Sequence, residues 1–253
     1  MMILTFFINL FSLTFYSYKG EEKSFRVVGS GQLVKLTEHT DAIKLYFEGY
    51  TSTKYGCLSN YKNLLNVTFD NSLTSINDGL LYQTQVVYFN IPKSVIQLNE
   101  NPFDEGLPIK QISVDPDNKY FTEFNGAIYS GNMKILYAIF GGNGMEYLVI
   151  PNTVELIETG AISKSSTLKN IIIPSSVKVI NGFNFIRIPY IEFIEVQNKN
   201  NSIKINKTGL FYESYKNESL IHYIPIIVQS CKKICIFIDL MTFAPHLSIF
   251  IFN

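Results

Sequence analysis

The side chains able to do chemistry are few and scattered. His39, His222 and His246 are the only histidines, and none stands in a motif with a Ser or Cys nucleophile that it would serve as a base. His222 lies between Ile221 and Tyr223 in a strand-like run, the setting of an edge residue satisfied by its neighbours. Cys231 and Cys235 have His222 and His246 at some distance, but the spacing fits no compact zinc pattern. With Cys57 they make three cysteines, an odd and low count that builds no disulfide framework, and buried thiols are the simpler reading. Gly141-Gly142-Asn143-Gly144 has the glycines of a phosphate loop without the following Lys-Ser/Thr or a helix, which reads as a turn. Asp115, Asp117 and Asn118 open like a calcium loop, yet no Glu closes it, and Asp115-Pro116 is a turn pair. No catalytic, metal-binding or cofactor-binding residue is therefore expected.

Composition narrows the classes further. Of 253 residues, 47% are apolar and 17% charged, so the chain folds around a core. Basic and acidic residues number 21 each, Arg occurs only as Arg26 and Arg187, and the one basic pair is Lys232-Lys233. Nucleic acid, which demands clustered cations against phosphate, is not an expected partner.

What must position any functional side chain is a repeat. Residues 148–157 read LVIPNTVELI and residues 171–180 read IIIPSSVKVI, 23 residues later. Counting from Ile150, apolar residues fall at Val154, Ile157, Ile162, Leu168 and Ile171, and the count restarts at Ile173. From Ile173 the same offsets give Val177, Ile180, Phe185, Ile191 and Ile194, closing on Val196. From Ile91 they give Val95, Leu98, Phe103, Ile109 and Ile112, closing on Val114; the unit from Phe69 closes one residue early, through Phe89 onto Ile91. Leu45 and Phe47 precede Val67 and Phe69 by 22 residues, with poor columns between, as in a capping unit.

Each unit predicts a short strand with two inward residues, followed by Pro, which has no N–H and ends pairing at one point of every turn: Pro92, Pro151, Pro174 and Pro225. Six buried apolar side chains at ~1.5–3 kcal/mol each do not offset the ordering of a whole unit at ~1–2 kcal/mol per residue. Only stacking does, so a single solenoid of parallel strands is expected. Two longer intervals, from Val114 to Ile150 and from Val196 to Ile224, carry similar inserts at 125–139 and 208–224. The first, with Ser130-Gly131-Asn132 at its turn, predicts a β-hairpin projecting from the stack.

At the N-terminus, Ile3 to Tyr16 is an uncharged apolar run of signal-peptide length. Residues 1–18 are expected to be a signal peptide, with Ser17 the best cleavage position; the competing reading is a buried first strand. Residues 19–253 are then one domain, capped over about 19–66 and 226–253. The apolar stretch Ile234 to Phe252 carries Asp239, Pro245 and His246 and follows Lys232-Lys233, which argues for a last buried repeat and against a membrane span.

The frame I-P-x-x-V-x-x-I with its 23-residue period resembles the leucine-rich repeats of BspA-like surface antigens, and residues 114–139 (VDPDNKYFTEFNGAIYSGNMKILYAI) are similar to that family's non-repeat island. The resemblance covers roughly residues 45–225. It implies a leucine-rich-repeat solenoid of stacked parallel strands, with an irregular or short-strand convex side and β-hairpin insertions. It also implies surface display and adhesion to host extracellular-matrix proteins. The chain departs from the family's Ala-Phe element, having Leu80-Leu81 and Gly160-Ala161-Ile162, and lacks the standard Asn ladder.

Outward strand positions are where a binding face would lie. One before the zero position are Thr68, Asn90, Ser113, Val149, Ile172 and Glu195; three before it, Asn66, Tyr88, Gln111, Tyr147, Asn170 and Phe193. The second set alternates amide and aromatic in a stripe, and only Glu195 is charged. A charge-poor aromatic surface suits proteins or sugars and not the calcium-dependent chemistry of a β-helix polysaccharide lyase. The expected partner face is Tyr88, Asn90, Gln111, Tyr147, Val149, Asn170, Ile172 and Phe193. A non-enzymatic, secreted or surface-displayed module binding proteins or glycans is the leading expectation; a cytoplasmic interaction scaffold of the same fold is the alternative. Sequons stand at Asn66, Asn200, Asn206 and Asn217.

Overall fold

In a computed structural model of the chain, the structure describes residues 23–197 except 100, 101, 104–108, 141–143, 164, 182, 183, 186, 187 and 189. It also describes the backbone of strands at 14–17, 203–205, 209–213, 221–229 and 233–236. In chain order the strands are β1 Thr14–Ser17, β2 Ser24–Leu33, β3 Lys44–Thr53, β4 Asn66–Phe69, β5 Ser75–Ile76, β6 Tyr88–Ile91 and β7 Gln97–Leu98. There follow β8 Gln111–Val114, β9 Phe121–Phe124, β10 Ala127–Ser130, β11 Ile135–Ile139, β12 Tyr147–Val149, β13 Leu156–Ile157, β14 Asn170–Ile173, β15 Val179–Ile180 and β16 Phe193–Val196. The last are β17 Ile203–Ile205, β18 Gly209–Glu213, β19 Ile221–Gln229 and β20 Lys233–Ile236.

The repeat folds as a parallel β-solenoid. Its main sheet comes in runs: Leu45 and Phe47 register with Val67 and Phe69, Tyr88–Ile91 with Gln111–Val114, and β12, β14 and β16 in succession. Alternation decides which side chains enter the core. In β4 and β6 the second and fourth residues are buried and the first and third exposed. In β14, Ile171 and Ile173 are fully buried while Asn170 and Ile172 are half-buried on the other face. The two-residue strands β5 and β7, and separately β13 and β15, form a second parallel sheet around the corner, which is the expected short-strand side.

The phrase I-P-x-x-V is that corner. Pro92 and Pro174 directly follow the last strand residue and Pro151 stands one residue further on, after Ile150; each carbonyl accepts the N–H of the Val three residues on: Val95 at 3.2 Å, Val154 at 3.0 Å and Val177 at 3.3 Å. Asp70 holds the same place without proline, its carboxylate accepting the Gly49 N–H at 3.2 Å and the Ser72 N–H at 3.1 Å. Pro225 departs from the expectation. It lies inside β19, opposite Gly209, where pairing with β18 ends and pairing with β20 begins. The unit expected between Val196 and Ile224 is likewise replaced: β17, β18, β19 and β20 form an antiparallel sheet. Upstream, β2 pairs parallel with β3, adding a turn ahead of Leu45, and β1 lies antiparallel on β2. The remaining residues of the expected signal peptide, and the expected last repeat beyond 236, lie outside the described residues.

The island hairpin forms at 127–139 as expected, but it does not project. Strand β11 pairs parallel with β13, so β9, β10 and β11 extend the second sheet, and both hairpin faces are buried. Ile128, Ala138 and Phe140 pack into a first core with Val27 through Ile112; Ala127, Tyr129, Leu136 and Ile139 pack into a second with Leu148 through Ile194. Two apolar faces exposed to water would be costly, and apolar residues at both alternate positions make the hairpin a partition. Phe121 closes the first core edge-on against Tyr137, at 5.2 Å between ring centres. The substituted convex positions keep the core intact, with Leu80, Leu81, Ala161 and Ile162 all fully buried.

Asparagines link successive turns just beyond the short strands. Thr53, Asn77 and Asn99 stack: the Asn77 N–H donates to Thr53 Oγ1 at 2.9 Å, its amide to the Thr53 carbonyl, and Asn99 Nδ2 to Asn77 Oδ1. In the second half Asn181 Nδ2 donates to Glu158 Oε2 at 2.8 Å. The Asn77–Thr53 bonds satisfy backbone groups where the short strands end, and the Asn99–Asn77 and Asn181–Glu158 bonds link side chains of successive turns.

Candidate functional site

The structure divides the expected partner face in two. Strand β8 pairs only with β6 and β12 only with β14; between them in the chain stands the island. Tyr88, Asn90 and Gln111 thus sit together on the first section, with Tyr88 opposite Gln111 and Asn90 opposite Ser113. Tyr147, Val149, Asn170, Ile172 and Phe193 sit together on the second, Tyr147, Asn170 and Phe193 in one row and Val149, Ile172 and Glu195 in the next. The continuous amide–aromatic stripe expected from the spacing is therefore not one stripe, because the island interrupts the ladder that would join its halves.

The two sections differ in chemistry. On the second, Tyr147 is 69% exposed, Val149 60% and Phe193 43%, with Tyr147 and Val149 on β12 and Phe193 on β16, on either side of β14. Beside it Lys169 Nζ meets Glu146 Oε1 at 2.7 Å, which raises the lysine's pKa. On the first section, β4 and β6 lie side by side without a ladder between them. Ahead of β6 the Gln85 N–H donates to the Leu64 carbonyl at 2.9 Å, whereas β3 and β4, whose paired residues are also 22 apart, keep full register. A groove of about 270 Å³ opens along this seam, walled by Asn66, Thr68, Tyr88, Asn90, Gln111 and Ser113. Asn66, Thr68 and Ser113, outward positions by the spacing but left out of the expected partner face, belong to it.

The other groups with chemical potential are occupied. Asp115 Oδ1 accepts the Asp117 N–H at 2.9 Å, and Asn118 Oδ1 accepts the N–H of Tyr120 and Phe121 at 2.8 and 3.0 Å, so the calcium-like triplet is a pair of turns. Among the described residues no three His, Cys, Asp or Glu side chains come together as a metal site. His39 stacks on Phe25 with ring centres 4.2 Å apart. Burial pushes the Cys57 thiol up to about 12, leaving it no thiolate at neutral pH. A strand, β12, follows Gly144 where a phosphate loop would need a helix. Cys231 and His246 lie outside the described residues, and for His222 and Cys235 only the strand backbone is described.

Comparison with known families now bears on this geometry. The profile described as BspA type Leucine rich repeat region matches six copies, over residues 38–110 and 133–236, well over half the chain. The chain is a member of the BspA-type leucine-rich-repeat family. The gap between the two matched stretches falls on residues 111–132, where the island breaks the main sheet. No curated protein matches the sequence. Among solved structures, the pneumococcal vaccine antigen PcpA superposes with a TM-score of 0.57 at 20% identity, over 63% of this chain and 40% of that one. A leucine-rich cell surface protein from Faecalibacterium prausnitzii superposes with a TM-score of 0.55 at 25% identity, over 62% of this chain and 42% of that one. This BspA-type chain thus spans about two-fifths of the length of both relatives. Among its described residues no helix is long and apolar enough to cross a membrane.

Proposed function

We propose that this BspA-type solenoid is a non-enzymatic binding module, displayed outside the cell, that holds a protein or glycan ligand against the outer face of its main sheet. The observation that carries the reading is the exposure of Tyr147, Val149 and Phe193 on one three-stranded section of the sheet, which leaves apolar surface in water that a partner would cover. Display at a surface is supported by the two solved relatives, one a vaccine antigen and the other a cell surface protein. Extracellular-matrix proteins are the first ligands to try. The double substitution Tyr88→Ala with Tyr147→Ala is expected to weaken adhesion to immobilised matrix proteins while leaving the unfolding midpoint unchanged. Undiminished adhesion would make the face ordinary surface. Surface biotinylation of intact cells, then N-terminal sequencing of the labelled chain, tests both display and cleavage near Ser17.

A second reading, an intracellular interaction scaffold, draws on β1. Thr14–Ser17 pairs in register with Phe25–Val28, as a first strand of the domain would. Retention of residues 1–18 on a cytosolic product would favour it.

A further inference from the structure

We propose that the seam between β4 and β6 is a subsite for a neutral oligosaccharide, with a sugar ring lying on Tyr88 and its hydroxyls held by Gln111, Asn90 and Asn66. The inference rests on the reading of the sheet face as a binding surface and specifies what this section takes. Three observations carry it. The groove's volume, about 270 Å³, falls near the lower end of the ~300–1,000 Å³ usual for small-molecule sites and leaves room for a sugar unit.

The lining side chains on the outer face, Asn66, Thr68, Tyr88, Asn90, Gln111 and Ser113, are all uncharged, so acidic sugars and phosphates find no counter-charge there. Their hydrogen-bonding capacity is also set outward. Ser113 Oγ donates to Asn90 Oδ1 at 2.9 Å and Thr68 Oγ1 to Asn66 Oδ1 at 3.3 Å. The Asn66 and Asn90 amide oxygens are thus each held by a neighbouring hydroxyl, which leaves their NH₂ groups as donors for an incoming acceptor. Tyr88, 58% exposed, offers an aromatic face for the apolar C–H side of a pyranose. The section around Tyr147, Val149 and Phe193 is aromatic and aliphatic with one amide, Asn170, and suits a protein instead.

The test uses the full chain with four neutral trisaccharides (maltotriose, cellotriose, mannotriose and triacetylchitotriose) and trigalacturonate as the acidic comparison. Saturation-transfer NMR detects binding, and tyrosine fluorescence titrates it, since the chain has 16 Tyr and no Trp. At least one neutral trisaccharide is expected to bind at millimolar concentration. Tyr88→Ala and Gln111→Ala should each weaken it roughly tenfold, while Tyr147→Ala leaves it unchanged; circular dichroism checks that each variant is folded. Absence of neutral-sugar binding, preference for trigalacturonate, or indifference to Tyr88→Ala and Gln111→Ala overturns the proposal, as does an extended peptide binding this seam where no sugar does. If a protein ligand is lost on Tyr147→Ala and Phe193→Ala while no sugar binds, the binding-module reading stands and the sugar subsite alone falls.

Discussion

Replacing Phe69 by Ala removes the middle ring of an aromatic column. Phe69 stacks on Phe47 with centres 4.8 Å apart at 18°, meets Phe89 edge-on at 6.5 Å, and is 6% exposed. Its neighbours are fixed on flanking strands and cannot close the hole, so the cost belongs in the range of about 3–5 kcal/mol for a buried Phe→Ala change. Tyr88→Ala, in the next strand but 58% exposed, should cost about 0.5 kcal/mol or less. The partition by the island says where the loss falls, because the two cores lie on opposite faces of β10 and β11. Nearest-neighbour coupling in a solenoid lets one half loosen before the other. Amide hydrogen exchange should show protection in β3, β4 and β6 falling roughly 10²–10⁴-fold, the equivalent of that energy, with β14 and β16 largely retained. A loss below ~1 kcal/mol, or equal loss of protection in β14 and β16, would refute the two-core description.

Three further outcomes are expected. Asn77→Ala removes the amide's bonds to the Thr53 carbonyl and from Asn99 Nδ2, keeps the backbone bond to Thr53 Oγ1, and should cost about 1–3 kcal/mol in urea unfolding. Gly49→Ala should cost more than ~2 kcal/mol, because Gly49 has φ +84° and a Cβ would sit 2.2 Å from the Gly29 carbonyl oxygen; a neutral result would show that β2 and β3 can separate freely. Glu155 lies between Lys178 and Lys134, whose hydrogen bonds hold its pKa at about 2 against an ordinary 4.5. A depressed carboxylate contributes stability above its unfolded value and loses it as pH falls towards the folded one. Wild type and Glu155→Gln should therefore converge in stability between about pH 5 and 2 and in high salt, as befits a solvent-exposed pair.

The repeat, its period and the facing of each strand residue were legible because they are local. A side chain at an alternate strand position is in or out by the geometry of the pleat, and Ile171, Ile172 and Ile173 obey it. The I-P-x-x-V corner is equally local, since Pro ends pairing and the next three residues close a turn. Asn77, Asn99 and Asn181 lay in one column too, each just beyond a short strand.

Other features depended on contacts between distant parts of the chain. Residues 127–139 announce a hairpin, yet whether it projects or inserts turns on whether two cores exist to cover both its faces. The division of the expected partner face follows from that insertion. Pro225 shows the limit in miniature: the residue that ends pairing at three corners lies mid-strand in β19, where a switch of partner leaves no N–H required. Residue types and spacing thus set the solenoid and its outward side chains, because alternation and period act over a few residues. Which outward side chains become neighbours was decided only when strands far apart in the chain found, or failed to find, a common register.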